Sequence, residues 1–511
     1  MRGVETVLFL VVIATVVATF ANRLRLPAPS LLVLVGVVVG LLPGVPAVEV
    51  TPDVISLVVL PPLLFAAGEE LPWRDLRAVA RPVAVLSVGL VLVSAAAVAG
   101  IAVAVTGMPV GVAFVLGAVL ASTDPVAVTA LARRLALPPR VQALIQAESL
   151  FNDATSLLLF RVALFAAVAG GAAWSRMLGE FALLAGGGLV VGALTAAGAF
   201  VIRRRTEDPV LETVVALVTP YAGYVIAESV GASGVTAVVV ASVILGTQAE
   251  RLSTARIRLQ VGAVYQTVVF LLESVIFGLI GLQLPALVRR LASSGPWWLL
   301  QAAGIAATLV VVRLLLVFAL TAIRQRRGRG RLSWQAPAVI SWAGARGVVP
   351  LAAALSLPAT GLADRDLVLL LTTAVIVLTL VVQGFTLAPL VRRTGIALDP
   401  LAVRHEYRAA RLRLAEAGLD HLEQVAETES APLHAVEQLR VGWKSRADRI
   451  RAAAEDPADT SHDAAYRALR RELLDVEAAE LTRLFANGEI TDSTRRRVQH
   501  LLDLEHAGLE D

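Results

Sequence analysis

Apolar runs of about 20 residues, the length that crosses a bilayer's hydrocarbon core as a helix, recur along most of this chain and restrict it to the helical membrane proteins. They begin near Val4, Pro29, Asp53, Pro82, Pro109, Ala143, Leu178, Glu212, Ala232, Val261, Pro296, Leu332 and Asp366, which predicts an all-α fold of about 13 transmembrane helices. Apolar residues make up 57% of the 511 and charged residues only 17%, with a mean hydropathy of +0.74, a balance foreign to ordinary soluble domains. Pro and Gly fall inside the runs, where they punctuate spans. The opening run, Val4 to Ala21, lacks an Ala-x-Ala cleavage site and is followed by Arg23 and Arg25, so it reads as a retained first span.

The arginines fall in the short segments between runs. If the N-terminus lies outside, the inner loops carry 21 arginines, among them Arg74, Arg77, Arg81, Arg203, Arg258 and Arg392, against 5 on the outer side. The positive-inside rule then predicts a multi-pass protein of the cell membrane, N-terminus outside and C-terminus in the cytoplasm. The net charge of +4 reflects this topology and not nucleic-acid binding. After about Leu398 the composition turns to Arg, Glu, Asp and Ala with scattered Leu, so the chain divides into a membrane domain, 1–398, and a soluble helical tail, 399–511. The tail is either a solvated appendage or a regulatory or dimer-stabilising element.

The chain has no Cys, every His lies beyond residue 400, and the only Lys is Lys444. Disulfides and Cys/His metal sites are excluded from the spans, and no nucleotide or organic cofactor motif is present. Any group in the spans that exchanges protons near neutral pH is therefore an Asp or Glu with a perturbed pKa.

Ionisable groups at bilayer depth are costly, so the few present are functional candidates. Asp124 lies in Ala121-Ser-Thr-Asp-Pro, where Pro125 removes a backbone donor and predicts a broken helix. A break leaves half-helix ends and free carbonyls at mid-depth, the way transporters build polar sites. In the sixth span, Ser149 and Asp153 are four residues apart and share a face, as do Glu148 and Asn152. At about 100° per residue, Glu148 and Asp153 diverge by roughly 140° and should serve different partners. Arg346, in the twelfth span beside a second interruption at Pro350, needs a carboxylate if buried. The two interrupted spans are seven apart, an odd offset that reverses orientation and predicts an inverted repeat with the ion site at its centre.

Leu60-Pro-Pro-Leu-Leu-Phe, Ser122-Thr-Asp-Pro-Val-Ala, Glu148-Ser-Leu-Phe-Asn-Asp and Ala345-Arg-Gly together resemble the sodium/proton antiporters of the monovalent cation:proton antiporter 1 family, NhaP-type, over the first 395 residues. The resemblance implies a secondary transporter and not an enzyme. Its partners would be Na⁺ (or K⁺ or Li⁺), protons, the lipid bilayer and a second copy of itself. It implies Asp153 as the acid that binds cation and proton in turn, with Asp124, Ser149, Thr123 and Asn152 around it, and Na⁺ held by Asp153, Asp124, Ser149 and Thr123. It pairs Glu148 with Arg346, and it implies a core of spans four to six and eleven to thirteen that rocks against a dimerising scaffold. Asn152-Asp153, where electrogenic relatives carry two acids, resembles the electroneutral branch. Many members have an acid directly after Leu-Pro-Pro-Leu-Leu-Phe; here Ala66 stands there, with Glu69 and Glu70 as auxiliary candidates.

Other charges in the spans include Arg161, Glu228, Glu273 and Arg313; an ion pair of Glu273 with Arg161 or Arg313 is expected, since an unpaired charge is costly there. Trp73, Trp297 and Trp298 fit an aromatic belt. Two other functions compete with exchange. A cation channel needs a carbonyl or acid-ring filter, and no Thr-Val-Gly-Tyr-Gly-like segment is present. An intramembrane aspartic protease would use Asp124 and Asp153 as a dyad, but no flanking motif supports it.

Overall fold

The computed structural model describes residues 2–24, 26–43, 54–124, 136–168, 174–249, 253–291, 297–326, 334–358, 362–428, 432–455 and 461–509. Pro125 and Arg25 lie outside them, as do Arg133, Arg134, Arg251, Arg327, Arg329 and Arg331, which belong to the 21 inner-loop arginines. The described residues form helices throughout, in two compact units, Met1–Ala397 and Leu398–Asp511.

In the first unit the helices are α1 (Arg2–Leu24), α2 (Ala28–Leu41), α3 (Ile55–Glu69), α4 (Trp73–Thr106), α5 (Val110–Leu120), α6 (Pro139–Val168), α7 (Trp174–Arg203), α8 (Pro209–Ser229), α9 (Gly234–Gly246), α10 (Ala255–Arg290), α11 (Trp298–Arg326), α12 (Gln335–Trp342), α13 (Val348–Leu355) and α14 (Arg365–Thr394). Seven of them (α4, α6, α7, α8, α10, α11 and α14) are long and apolar enough to cross a membrane. α2, α5 and α9 are shorter; at about 1.5 Å per residue, the 13 residues of α9 span only about 20 Å. α4 begins at Trp73, a full two turns before the expected Pro82. Pro82 lies inside this helix without ending it, and the ladder widens to π geometry over Val85–Leu90 just beyond.

Two groups of helices are legible in the packing. α1 and α2 pack on α10, and α3 and α7 pack on α9 with α8 beside them. α4, α5 and α6 pack on one another, while α11 packs on α12 and α14, and α14 packs on both α12 and α13. Buried apolar side chains run through both groups: Phe65, Val238 and Phe277 in the first, Leu116, Val119 and Val375 in the second. The second group carries both discontinuities. Helix α5 ends at Leu120 and Ala121–Asp124 is not helical; Ala343–Gly347 separates α12 from α13. The second interruption therefore precedes Pro350, which sits in the first turn of α13, where a missing N–H costs nothing.

The second unit contains α15 (Pro400–Thr428), α16 (Leu433–Glu455), α17 (Ser461–Ala486) and α18 (Asp492–Ala507). α15 pairs with α16 and α17 with α18. Arg440 of α16 donates to both carboxylate oxygens of Glu423 in α15, at 2.8 and 2.7 Å, and these hydrogen bonds hold the Glu423 carboxyl below its ordinary pKa.

Candidate functional site

The two interrupted stretches meet. The Asp124 amide donates to the Ala345 carbonyl at 2.8 Å, and the Arg346 guanidinium reaches back to the Leu120 carbonyl, also at 2.8 Å. Each break thus satisfies backbone groups that the other left open, as buried peptide groups require. The arginines complete the exchange. Arg346 donates to Leu120 and Gly344 carbonyls, and Arg313 of α11 donates to those of Ile340, at 3.1 Å, and Ala343, at 3.5 Å. Each cation stands at the C-terminal end of a half-helix, where orphan carbonyls concentrate negative charge.

Arg313 is also the partner of Glu148. Its two terminal nitrogens meet the two carboxylate oxygens at 2.6 Å each, a bidentate pair with Glu148 0% and Arg313 1% exposed. The expected pairing of Glu148 with Arg346 is corrected here. Arg346 sits in the unwound stretch and spends its donors on carbonyls, while regular α11 holds its arginine level with Glu148 for a fork-to-fork approach. The expected pairing of Glu273 is corrected for the same reason: Arg313 is taken by Glu148, and Arg161 binds Glu228 at 2.5 Å.

α6 clamps the first break. Asn152 donates to the Thr123 hydroxyl at 2.6 Å and accepts from the Thr123 amide at 3.3 Å. Ser149 donates to the Thr123 carbonyl, and Ser156 to that of Ala118 at 2.6 Å. Ser149 and Asn152 are buried and do not line the cavity described next; Thr123, Asp124 and Asp153 do.

The cavity, about 680 Å³, extends from the crossing between α3, α6 and α10. At its inner end the Asp124 carboxylate lies on Gly347, so closely that a Cβ there would overlap it. Gly347 caps α13, so Asp124 sits at that helix's positive end. Asp153 is 5% exposed, and its buried Oδ1 has no hydrogen-bond partner; the buried Ser122 hydroxyl is likewise unpartnered. Such groups are costly unless something else fills them. Ser122, Gln146 and Arg203 belong to this cavity and were not singled out by sequence. Sequence reading had Arg203 as a loop cation, yet it is buried, bonded to Glu212 at 2.8 Å and 3.5 Å from Glu69. Glu69, Glu70, Ala66 and Glu273 also line the cavity.

The arrangement offers carboxylates, hydroxyls and carbonyls, all hard oxygen donors suited to alkali cations. Residues 10–393 match the family profile described as "Sodium/hydrogen exchanger, transmembrane". The chain is 32% identical to an uncharacterized Na(+)/H(+) exchanger of Mycobacterium tuberculosis, over 100% of this chain and 96% of the relative. It is 30% identical to the Na(+)/H(+) antiporter ApNhaP of Aphanothece halophytica, over 94% of this chain and 92% of the relative. Among solved structures, the sodium proton antiporter MjNhaP1 of Methanocaldococcus jannaschii at pH 8 shares the fold, with a TM-score of 0.63 at 21% identity over 77% of this chain and 99% of that one. Profile, relatives and fold agree with the crossed, acid-bearing breaks: the chain belongs to the sodium/hydrogen exchanger family of multi-pass membrane proteins.

Proposed function

We propose that this protein is a secondary antiporter that exchanges Na⁺ for H⁺ at Asp153, with Asp124, Ser122 and Thr123 beside it. The observation that carries this is the unpartnered, buried Oδ1 of Asp153 at the wall of a polar-ended cavity. A dehydrated cation or a proton satisfies that oxygen, but not both at once. Burial favours the protonated acid and a cation favours the carboxylate, so the two ligands compete for one site, and competition couples their movements. Ser149 and Asn152 support the site by fixing Thr123. Glu148 and Arg313 form the structural ion pair beneath it, and Arg346 ties the two breaks together.

The far end of the cavity is lined by Glu69, Glu70, Arg203 and Arg258, which the arginine distribution assigns to the cytoplasmic face. We take the site as open to the cytoplasm, with 13 spans, the N-terminus outside and the tail, 399–511, inside. The helices carrying the breaks (α4–α6 and α11–α14) would move against the α1–α3 and α7–α10 group, which supplies the surface for a homodimer. Purified protein in liposomes should dissipate an imposed proton gradient on addition of Na⁺, with K⁺ and Li⁺ compared in the same assay. Asp153→Asn, which keeps the volume and removes the charge, should abolish the response in folded protein. Substantial residual exchange would remove Asp153 from the role.

A further inference from the structure

Glu273 lies on α10, on the wall of the cavity contributed by the scaffold, and faces the space that ends at Asp124 and Asp153. Both arginines expected to neutralise it are bound elsewhere, and among the described residues it makes no hydrogen bond or ion pair. It is half-buried, unlike Asp153, and opens onto the cavity. The charged and titratable groups around that space are Glu69 and Glu70 from α3, Asp124 after α5, Asp153 from α6, Arg203 from α7, and Arg258 and Tyr265 from α10 itself. Asp124 and Glu70 are near enough to Glu273 to interact with it through their charges. The arrangement is more than a group of acids, because the 95%-buried Asp153, on the same cavity, holds an unpartnered oxygen.

Two further observations define what such a carboxylate can do. A cavity of about 680 Å³ has room for many waters, so a cation can enter it hydrated. One to two turns beyond Glu273, α10 is pressed backbone to backbone against α2. A Cβ on Gly36 would overlap the Gly278 carbonyl oxygen, and one on Gly281 would overlap that of Val33. Small residues at such a crossing lock membrane helices together. Glu273 therefore stays with α2, in the group proposed above as the frame, whereas Asp124 and Asp153 belong to the helices that carry the breaks.

We propose that Glu273 is a stationary cation-recruiting carboxylate, which takes a hydrated monovalent cation on the cavity side, delivers it to Asp124 and Asp153, and does not itself cross. It rests on the exchange site proposed above. Because Glu273 faces the site only when the cavity is open, its effect must be confined to one face of the membrane. In liposomes of uniform orientation, Glu273→Gln should raise the KM for Na⁺ about tenfold from the cavity side and leave the KM from the opposite side unchanged, with an unaltered melting temperature. Glu273→Asp should recover most of the affinity. A KM unchanged on both sides, raised equally on both, or raised only together with a fall in melting temperature would overturn the assignment. Asp153→Asn in the same vesicles separates the two levels: if it is inactive while Glu273→Gln is normal, only the role of Glu273 falls; if it exchanges, the site itself falls.

Discussion

Asp124 and Asp153 are both acids at the end of the cavity, yet their surroundings assign them different tasks. Asp124 is fixed against Gly347 at the start of α13 and through its amide to Ala345, while Asp153 keeps an oxygen open. Asp124→Asn should accordingly weaken Na⁺ binding without abolishing exchange, since Asp153 still titrates. Equal loss in both variants, measured as Na⁺-driven proton flux, would instead indicate one jointly protonated pair. Gly347→Ala should damage transport more than a surface glycine replacement would, because the added methyl displaces the Asp124 carboxylate; a normal Na⁺ affinity in folded Gly347→Ala protein would contradict this placement. The acids were legible in the sequence because a charge at bilayer depth stands out against an apolar run. Their partners were not. Arg346 and Arg313 are chemically identical candidates for Glu148, and the choice depends on which backbone is regular enough to aim a guanidinium. Ser122 stood in the Ser122-Thr-Asp-Pro motif without a role of its own: a serine costs little anywhere, and only its position beside Asp153 gives it meaning.

Among the elements, the broken helices carry the design. α5 and α12 end opposite arginines, and α13 begins against Asp124, so each half-helix dipole meets a complementary charge. Glu148 ties this together by neutralising Arg313, which in turn caps α12. Glu148→Gln or Arg313→Met alone leaves a buried charge uncompensated and should cost about 3–5 kcal/mol, seen as a lowered melting temperature in detergent. The double variant should regain much of that loss, and two stable single variants would count against the pair. Outside the membrane, Glu423 offers a contrast. Its folded pKa is depressed by Arg440, so its contribution to the α15–α16 hairpin is present above the unfolded value and is lost as pH falls through the folded one. Hydrogen exchange in these two helices should rise only as the pH falls below the ordinary glutamate range, and modestly, because the pair is exposed to water. The breaks themselves were legible from the Asp124-Pro125 step and from Pro350. The position of the second was displaced, because Pro350 is the strongest breaker nearby yet is accommodated as a helix start. The early beginning of α4 was missed because its first turns carry Arg74, Arg77 and Arg81 and so fall below any apolar threshold.

For the whole molecule, the proposed division into a moving, acid-bearing group and a fixed frame decides how much charge crosses per cycle. Asn152 precedes Asp153, the only lysine lies in the tail, and Arg313 and Arg346 are held by Glu148 and by backbone carbonyls. Glu273 stays on the frame. One acid, Asp153, then alternates between one proton and one monovalent cation, and the net charge moved is zero. An electrogenic cycle would feel the membrane potential at about 2.3 kcal/mol per charge per 100 mV, large enough to change an equilibrium Na⁺ gradient many-fold. An imposed K⁺-diffusion potential of about that size should therefore leave both the initial rate and the final Na⁺ gradient unchanged. A gradient that follows the voltage would require a second proton to accompany the first. The carrier would then be sought first at Asp124, which shares the moving crossing, and only afterwards at Glu69, Glu70 or Glu273, since an acid anchored to the frame would have to release its proton to the mobile site on every cycle.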